Sequence, residues 1–311
     1  MRGVIFFRGR AYRLTWITTP RAALIMMPQT QETKMSFRDI LAVVTSQAAN
    51  EHVIAFANQL ASQTKGRVTA AVVNWEPNFT PAEGWALDPL YGQLLVDARN
   101  QLASEADKLK TRLAREEAPS SVEPYLLDIG AAGVAVGMRA RHADVSIVAR
   151  PTQAHMESGQ AILDAVLFEA GRPVIFVPPE WKPGKIGRRI LVAWKPTREA
   201  ARALADADAF IGSAESVSIV TVDGKPSRGY GEQPGADIAA HLAYRGAKAE
   251  LFNLASGGRS ESEAIMSQAV SLGADLVVMG GYGRSRMSEF IFGGVTRGML
   301  RHATVPVLMS H

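Results

Sequence analysis

Short apolar runs alternate along the chain with stretches of helical periodicity. Runs of β-branched and other apolar residues near 39–44, 67–74, 122–127, 144–149 and 173–177, then 189–194, 216–222, 248–252, 275–279 and 305–309, predict ten strands. The segments between most of them carry apolar residues at helical spacing, so the pattern predicts parallel βαβ units in a doubly wound α/β sheet. The longest helical stretch shows a leucine seam at Leu95, Leu102, Leu109 and Leu113, spaced by seven, seven and four. Such a stripe predicts a face packed on the core.

The pattern repeats. "FRDILAVVTSQAANEHVIAFANQLA" (37–61) parallels "GRRILVAWKPTREAARALADADAFI" (187–211), basic residues leading into a strand, a loop and an Ala-rich helix. "HADVSIVAR" (142–150) parallels "GADLVVMGG" (273–281), and "GRPVIFVPP" (171–179) parallels "ATVPVLMSH" (303–311). Two copies of one domain follow, at 37–178 and 188–311. Between them "PPEWKPGKIG" (178–187) reads as a linker from its proline, glycine and lysine content. Residues 75–92 read as an irregular insertion over the sheet edge, a lid or a plain surface loop.

Composition narrows the function classes. Hydrophobic residues at 47% and charged residues at 21% describe a globular chain, not a disordered one. Cysteine is absent, which excludes disulfides and thiolate metal sites and fits a reducing, cytoplasmic setting. No apolar run nears the roughly 18 residues of a membrane helix. The net charge of +4 suggests nucleic acid until it is located: residues 1–34 carry +5, and the rest of the chain sums to −1. No nucleic-acid footprint remains outside the tail. The tail, residues 1–36, reads either as a disordered extension, with Met35 the true start, or as an Arg-rich targeting segment.

The candidate chemistry lies in "GGYGRSRMSEFIFGG" (280–294), just after a strand and before a helical pattern. Amides at a helix start are unpaired, and the helix dipole adds partial positive charge, so such a position attracts an anion. Glycines at 280 and 283 would let a phosphate approach the main chain. The stretch "MGGYGRSRMSEFIFGGVTRGMLRHATVPVLMS" (279–310) resembles the ATP-binding variety of the universal stress protein family, whose loop reads G-x-x-G, nine residues, then G followed by Ser or Thr. The resemblance runs over both copies, from about Arg38 to Ser310. It implies two tandem Rossmann-like domains of the adenine-nucleotide α-hydrolase type and a stress-response role.

On that resemblance Gly280 and Gly283 would line ribose and phosphates, and Arg284 would lend charge. Gly293, Gly294, Val295 and Thr296 would meet phosphates at the helix start, with Met279 under the nucleotide and Mg2+ accompanying ATP. Two positions depart from the family pattern. Gly294 stands where a hydroxyl residue is usual, which removes a contact worth about 1 kcal/mol. Lys195, in "ILVAWKPT" (190–197), stands where the family usually has Asp. The first copy has Ala149 and Thr152 in place of the two glycines, with only Gly159 near the next helix, so it reads as a structural or partner-binding half.

Catalytic signatures are missing. There is no G-x-x-x-x-G-K-[ST] loop and no H-E-x-x-H pair, and the six histidines, including His155, show no metal-ligand spacing. Glu116 with Glu117, and Glu261 with Glu263, read as solvated faces. The sequence therefore predicts a protein that binds adenine nucleotide without efficient turnover. A nucleotide-free protein-interaction module and a slow nucleotide hydrolase are the alternatives. The resemblance further implies pairing through the final strands, Pro173–Val177 and Val305–Met309, within the chain as a pseudo-dimer or between chains as a homodimer.

Overall fold

The computed structural model describes residues 3–7, 10–14, 37–45, 50–77, 89–151, 156–224, 233–281 and 294–311. The chain divides into two units, Met1–Lys34 and Met35–His311. In the first, β1 (Gly3–Phe7) and β2 (Arg10–Leu14) pair antiparallel, with Gly3 opposite Leu14. The tail expected to be disordered thus contains a two-stranded ladder, an arrangement only marginally stable alone in water.

The second unit runs β3 (Asp39–Thr45), α1 (Glu51–Thr64), β4 (Arg67–Trp75), α2 (Pro89–Leu113), β5 (Ser120–Leu127), α3 (Ile129–Ala140) and β6 (Val145–Ala149). Helix α4 (Met156–Asp164) continues as five π-helical residues, Ala165–Glu169, before β7 (Val174–Val177). The second half follows as β8 (Arg189–Ala193), α5 (Arg198–Asp206), α6 (Asp208–Ile211), β9 (Ser216–Val222), α7 (Ala236–Tyr244) and β10 (Ala249–Leu254). It ends with α8 (Glu261–Ser271), β11 (Leu276–Gly280), α9 (Gly294–His302) and β12 (Val307–Ser310).

These ten strands form one sheet in the order β10-β9-β8-β11-β12-β7-β6-β3-β4-β5. Each half therefore shows the same doubly wound order, with its first strand in the middle. All neighbours are parallel except β7 and β12, which join the halves antiparallel with Val307 opposite Phe176 and Met309 opposite Val174. The final strands pair inside the chain. They begin one residue after Pro173 and Pro306, whose carbonyls still accept from Ser146 and Val277 at 3.1 and 2.9 Å. Proline has no amide to give, so regular pairing starts beyond it. Pro124 sits on β5, an edge strand, where a missing donor costs no ladder bond.

The inner strands are apolar on both faces because helices cover both, which is why they read as unbroken runs and not as alternation. One core joins Ile40, Val68, Ile190 and Val278 to Phe56, Leu60, Leu102, Leu204 and Phe210 on α1, α2, α5 and α6. The other joins Leu41, Val148, Val277 and Met309 to Val136, Leu163, Ile265 and Met299 on α3, α4, α8 and α9. On α2, Leu102 and Leu113 are buried while Leu109 is half-buried; Ala98 and Ala106 complete the seam, filling positions that a seven-residue spacing skips. Residues 178–187 are docked: Trp181 packs edge-on against Phe56 at 5.0 Å, and Gln59 Nε2 donates to the Gly184 carbonyl at 2.5 Å. The irregular insertion expected at 75–92, lid or surface loop, is shorter than that: Trp75 ends β4 and Pro89 begins α2, while 78–88 lie outside the described residues.

One device appears in both halves. Asp144 accepts from the amides of Arg38 and Asp39 at 2.8 and 2.9 Å, and Asp275 accepts from those of Arg188 and Arg189 at 3.0 and 3.1 Å. Each carboxylate ties the start of a half's fourth strand to that of its first. Burial pushes the Asp275 carboxyl above its ordinary range, and the hydrogen bonds from Arg189, Arg188 and Gly187 only partly offset it. Burial also raises Glu123, but hydrogen bonds from Arg139 and Tyr125 outweigh it and leave the carboxyl low. A raised folded value stabilises at low pH and fades as pH rises through it; a lowered one stabilises above the ordinary glutamate value of 4.5 and fades as pH falls below it. Asp275→Asn removes the group that offsets acid loss and is therefore expected to steepen the fall in stability as pH drops toward the ordinary aspartate value of 3.8, measured by urea unfolding across an acid series. An unchanged slope would contradict the assignment.

Candidate functional site

Strands β8 and β11 are parallel neighbours, with Ile190 opposite Leu276 and Ala193 opposite Met279. The order of strands reverses between them, since β9 and β10 lie beyond β8 while β12 lies beyond β11. Open α/β sheets bind ligands at the carboxyl edge of such a switch point. Met279, Gly280 and Lys195 reach that edge. Gly283, Arg284 and Gly293 lie outside the described residues.

The structure gives Gly280 a packing role. A Cβ there would stand 2.5 Å from the Ala200 nitrogen and 2.7 Å from the Glu199 carbonyl carbon, so the first turn of α5 occupies the space a side chain needs. Met279 is 5% exposed and belongs to the core shared with α8 and α9. Gly281 is also buried, with Leu167 of the first half 3.1 Å from where its Cβ would be.

The helix starts along this edge differ in charge. Helix α5 is capped by Thr197, whose hydroxyl accepts from the Ala200 amide at 3.2 Å, and it carries buried Glu199 in its first turn. Burial raises the Glu199 carboxyl, but hydrogen bonds from its own amide and Thr197, and the charges of Arg198 and His311, outweigh it and keep it low. Helix α7 has Asp237 in its first turn, and α8 is closed by a capping box in which Ser260 and Glu263 exchange hydrogen bonds. These carboxylates already occupy the positive ends of their helices and repel a second anion.

Among the described helix starts of the second half, α9 is the exception. Its first turn holds no acidic residue, and Gly294, its first residue, is exposed with no atom within 4 Å of a would-be Cβ. Val295 is half-buried and Thr296 is 4% exposed, so Thr296 turns into the packing and not outward. At Gly294, what α9 presents is backbone. Lys195 is exposed two residues beyond β8, and its carbonyl accepts from the Thr197 amide at 2.7 Å, fixing the turn into α5.

In the first half, β6 ends at Ala149 and Pro151 is buried against Gly159, 3.3 Å from its would-be Cβ. Thr152 and His155 lie outside the described residues. Among the described residues no three His, Asp or Glu side chains gather to hold a metal, and no helix is long and apolar enough to cross a membrane.

Residues 187–311 match the universal stress protein family. The universal stress protein match takes in β8 to β12, and with them the switch point and α9. A universal stress protein from Archaeoglobus fulgidus DSM 4304 has the same fold, with a TM-score of 0.62 at 15% identity over 87% of this chain and 97% of that one. A candidate universal stress protein from Pseudomonas aeruginosa UCBPP-PA14 gives 0.58 at 14% identity over 88% and 93%. These likenesses span both halves and concern fold. No curated protein sequence matches the chain.

Sequence reasoning overlooked the distribution of first-turn acids, although it is printed in "TRE" (197–199) and "SESE" (260–263). Glycines drew attention instead, and one of them serves packing.

Proposed function

We propose that the second half binds ATP, accompanied by Mg2+, as a regulatory ligand in a cytoplasmic stress-response protein, without efficient turnover. The observation that carries this reading is the acid-free, exposed start of α9 at the switch point, inside the segment matching the universal stress protein family. A phosphate fits there, because a helix start with no competing carboxylate carries partial positive charge, which attracts an anion. Gly294 leaves the approach open, and Lys195 supplies a cation on the neighbouring strand's exit. Met279 and Thr296 are taken up by the core, so recognition falls to the main chain and to the glycine segment at 282–293.

Calorimetry of the full chain with Mg-ATP tests this. Gly283→Val and Gly293→Val are each expected to weaken binding at least tenfold, and ATP at 100 times its Kd should stabilise the fold by about 2.7 kcal/mol. Absence of both heat and thermal shift at millimolar ATP would overturn the reading in favour of a nucleotide-free interaction module. The observation on that side is Lys195, exposed where the family usually has Asp. Timed product analysis in the same samples tests the absence of turnover.

A further inference from the structure

We infer that the first half braces α9 in cis through Arg150, a positioning residue for the helix whose start faces the proposed phosphate. This rests on the nucleotide reading only for its functional consequence. Arg150 follows β6 as Gly281 follows β11, and their amides make the same bond to the last strand of each half, to Val177 and Ser310 carbonyls, both at 2.8 Å. Where the second half has glycine, the first has a long cation. That side chain is 15% exposed and crosses the joint between halves.

Its Nη1 donates to the Arg301 carbonyl at 2.5 Å, and its Nη2 reaches both Glu180 oxygens at 3.4 and 3.5 Å. Arg301 lies in the last turn of α9, where carbonyls lack helical donors and the dipole is negative. A guanidinium there satisfies one of them and complements the charge. Helix α9 has nine residues, too few to be stable on its own in water, so end contacts weigh heavily.

The same half also packs against the residues that follow β11. Leu167 lies against Gly281, and the Phe168 ring meets the His311 ring edge-on at 5.0 Å, while His311 Nδ1 is 3.2 Å from the Gly281 carbonyl oxygen. Both Leu167 and Phe168 belong to the π-helical stretch, a local widening that often accompanies function. The first half thus touches the end of β11 and the end of α9. Lacking a glycine loop of its own, it supplies fixation.

Hydrogen–deuterium exchange of the full chain, paired with Mg-ATP titration, tests the brace. Arg150→Ala is expected to speed exchange in 294–303 about fivefold while β8 and β11 keep their protection, and to weaken ATP binding by a similar factor. Arg150→Lys, which keeps the cation, should recover most of both. Unchanged exchange in α9 overturns the brace, and so does rapid exchange spread evenly over the sheet. Faster exchange in α9 with unaltered ATP affinity overturns its role in positioning. If the unaltered chain binds no ATP, the nucleotide reading falls and the exchange pattern alone decides the brace. Should Arg150→Ala not fold, Arg150→Gln, which keeps most of the stem's packing, is read in its place.

Discussion

Gly280→Ala is expected to lower the unfolding free energy by about 3 kcal/mol, in the absence of any nucleotide. The added methyl would sit 2.5 Å from the Ala200 nitrogen, 2.7 Å from the Glu199 carbonyl carbon and 3.0 Å from the Ala200 Cα. All three are main-chain atoms of α5's first turn, so no rotamer change relieves the clash. Either the helix lifts from β11 or the strand end bends, and both disturb the cap at Thr197. Gly294→Ala is the matched control, because nothing lies within 4 Å of its added methyl. Its effect should stay within about 0.5 kcal/mol, as for a surface position. Chemical denaturation of both variants decides: equal midpoints would refute the close approach of α5 to β11. The comparison also separates a glycine needed for packing from one needed for ligand approach, which binding data alone cannot do.

Phe176→Ala is expected to cost about 3 to 5 kcal/mol, the usual range for removing a buried aromatic ring. Phe176 is fully buried on β7, opposite Val307 of β12, and contributes to the core that runs beneath both halves. The cavity would open at the seam between them. Because β7 and β12 are hydrogen-bonded within one sheet, and Trp181 and Gln59 tie residues 178–187 to α1, the halves should unfold together. Calorimetry should show one transition moved to lower temperature. Two transitions, only one of them shifted, would mean that the seam does not couple the halves.

The strands were legible because burial on both faces removes polar residues from their interiors, leaving runs such as "ILAVV" and "LVVM" that no helix period explains. The repeat was legible for the same reason; the family resemblance implied pairing through the final strands, within the chain or between chains, and the structure shows it within the chain and antiparallel. The candidate site was only partly readable. Sequence drew attention to Gly280 as a phosphate-lining residue; the structure adds that the first turn of α5 leaves no room there for a side chain, which no local pattern shows. Met279 and Thr296 point into a core that exists only once α8 and α9 pack. Asp144 and Asp275 were visible as the shared "AD" of two strand starts, yet their partners lie 86 to 106 residues away along the chain.

By itself, the sequence determined the two-fold repetition of an α/β unit, the order of its elements, the switch from glycine loop to none between copies, and the confinement of surplus positive charge to the tail. These follow from local composition and period, which each segment carries wherever it is placed. Only the tertiary structure decided which glycine packs and which stays open, which helix starts are already neutralised by their own carboxylates, and that Arg150 of one half closes a helix of the other. Those outcomes depend on distances between segments remote in the chain, set when ten strands close into one sheet and the helices on its faces compete for the same few ångströms.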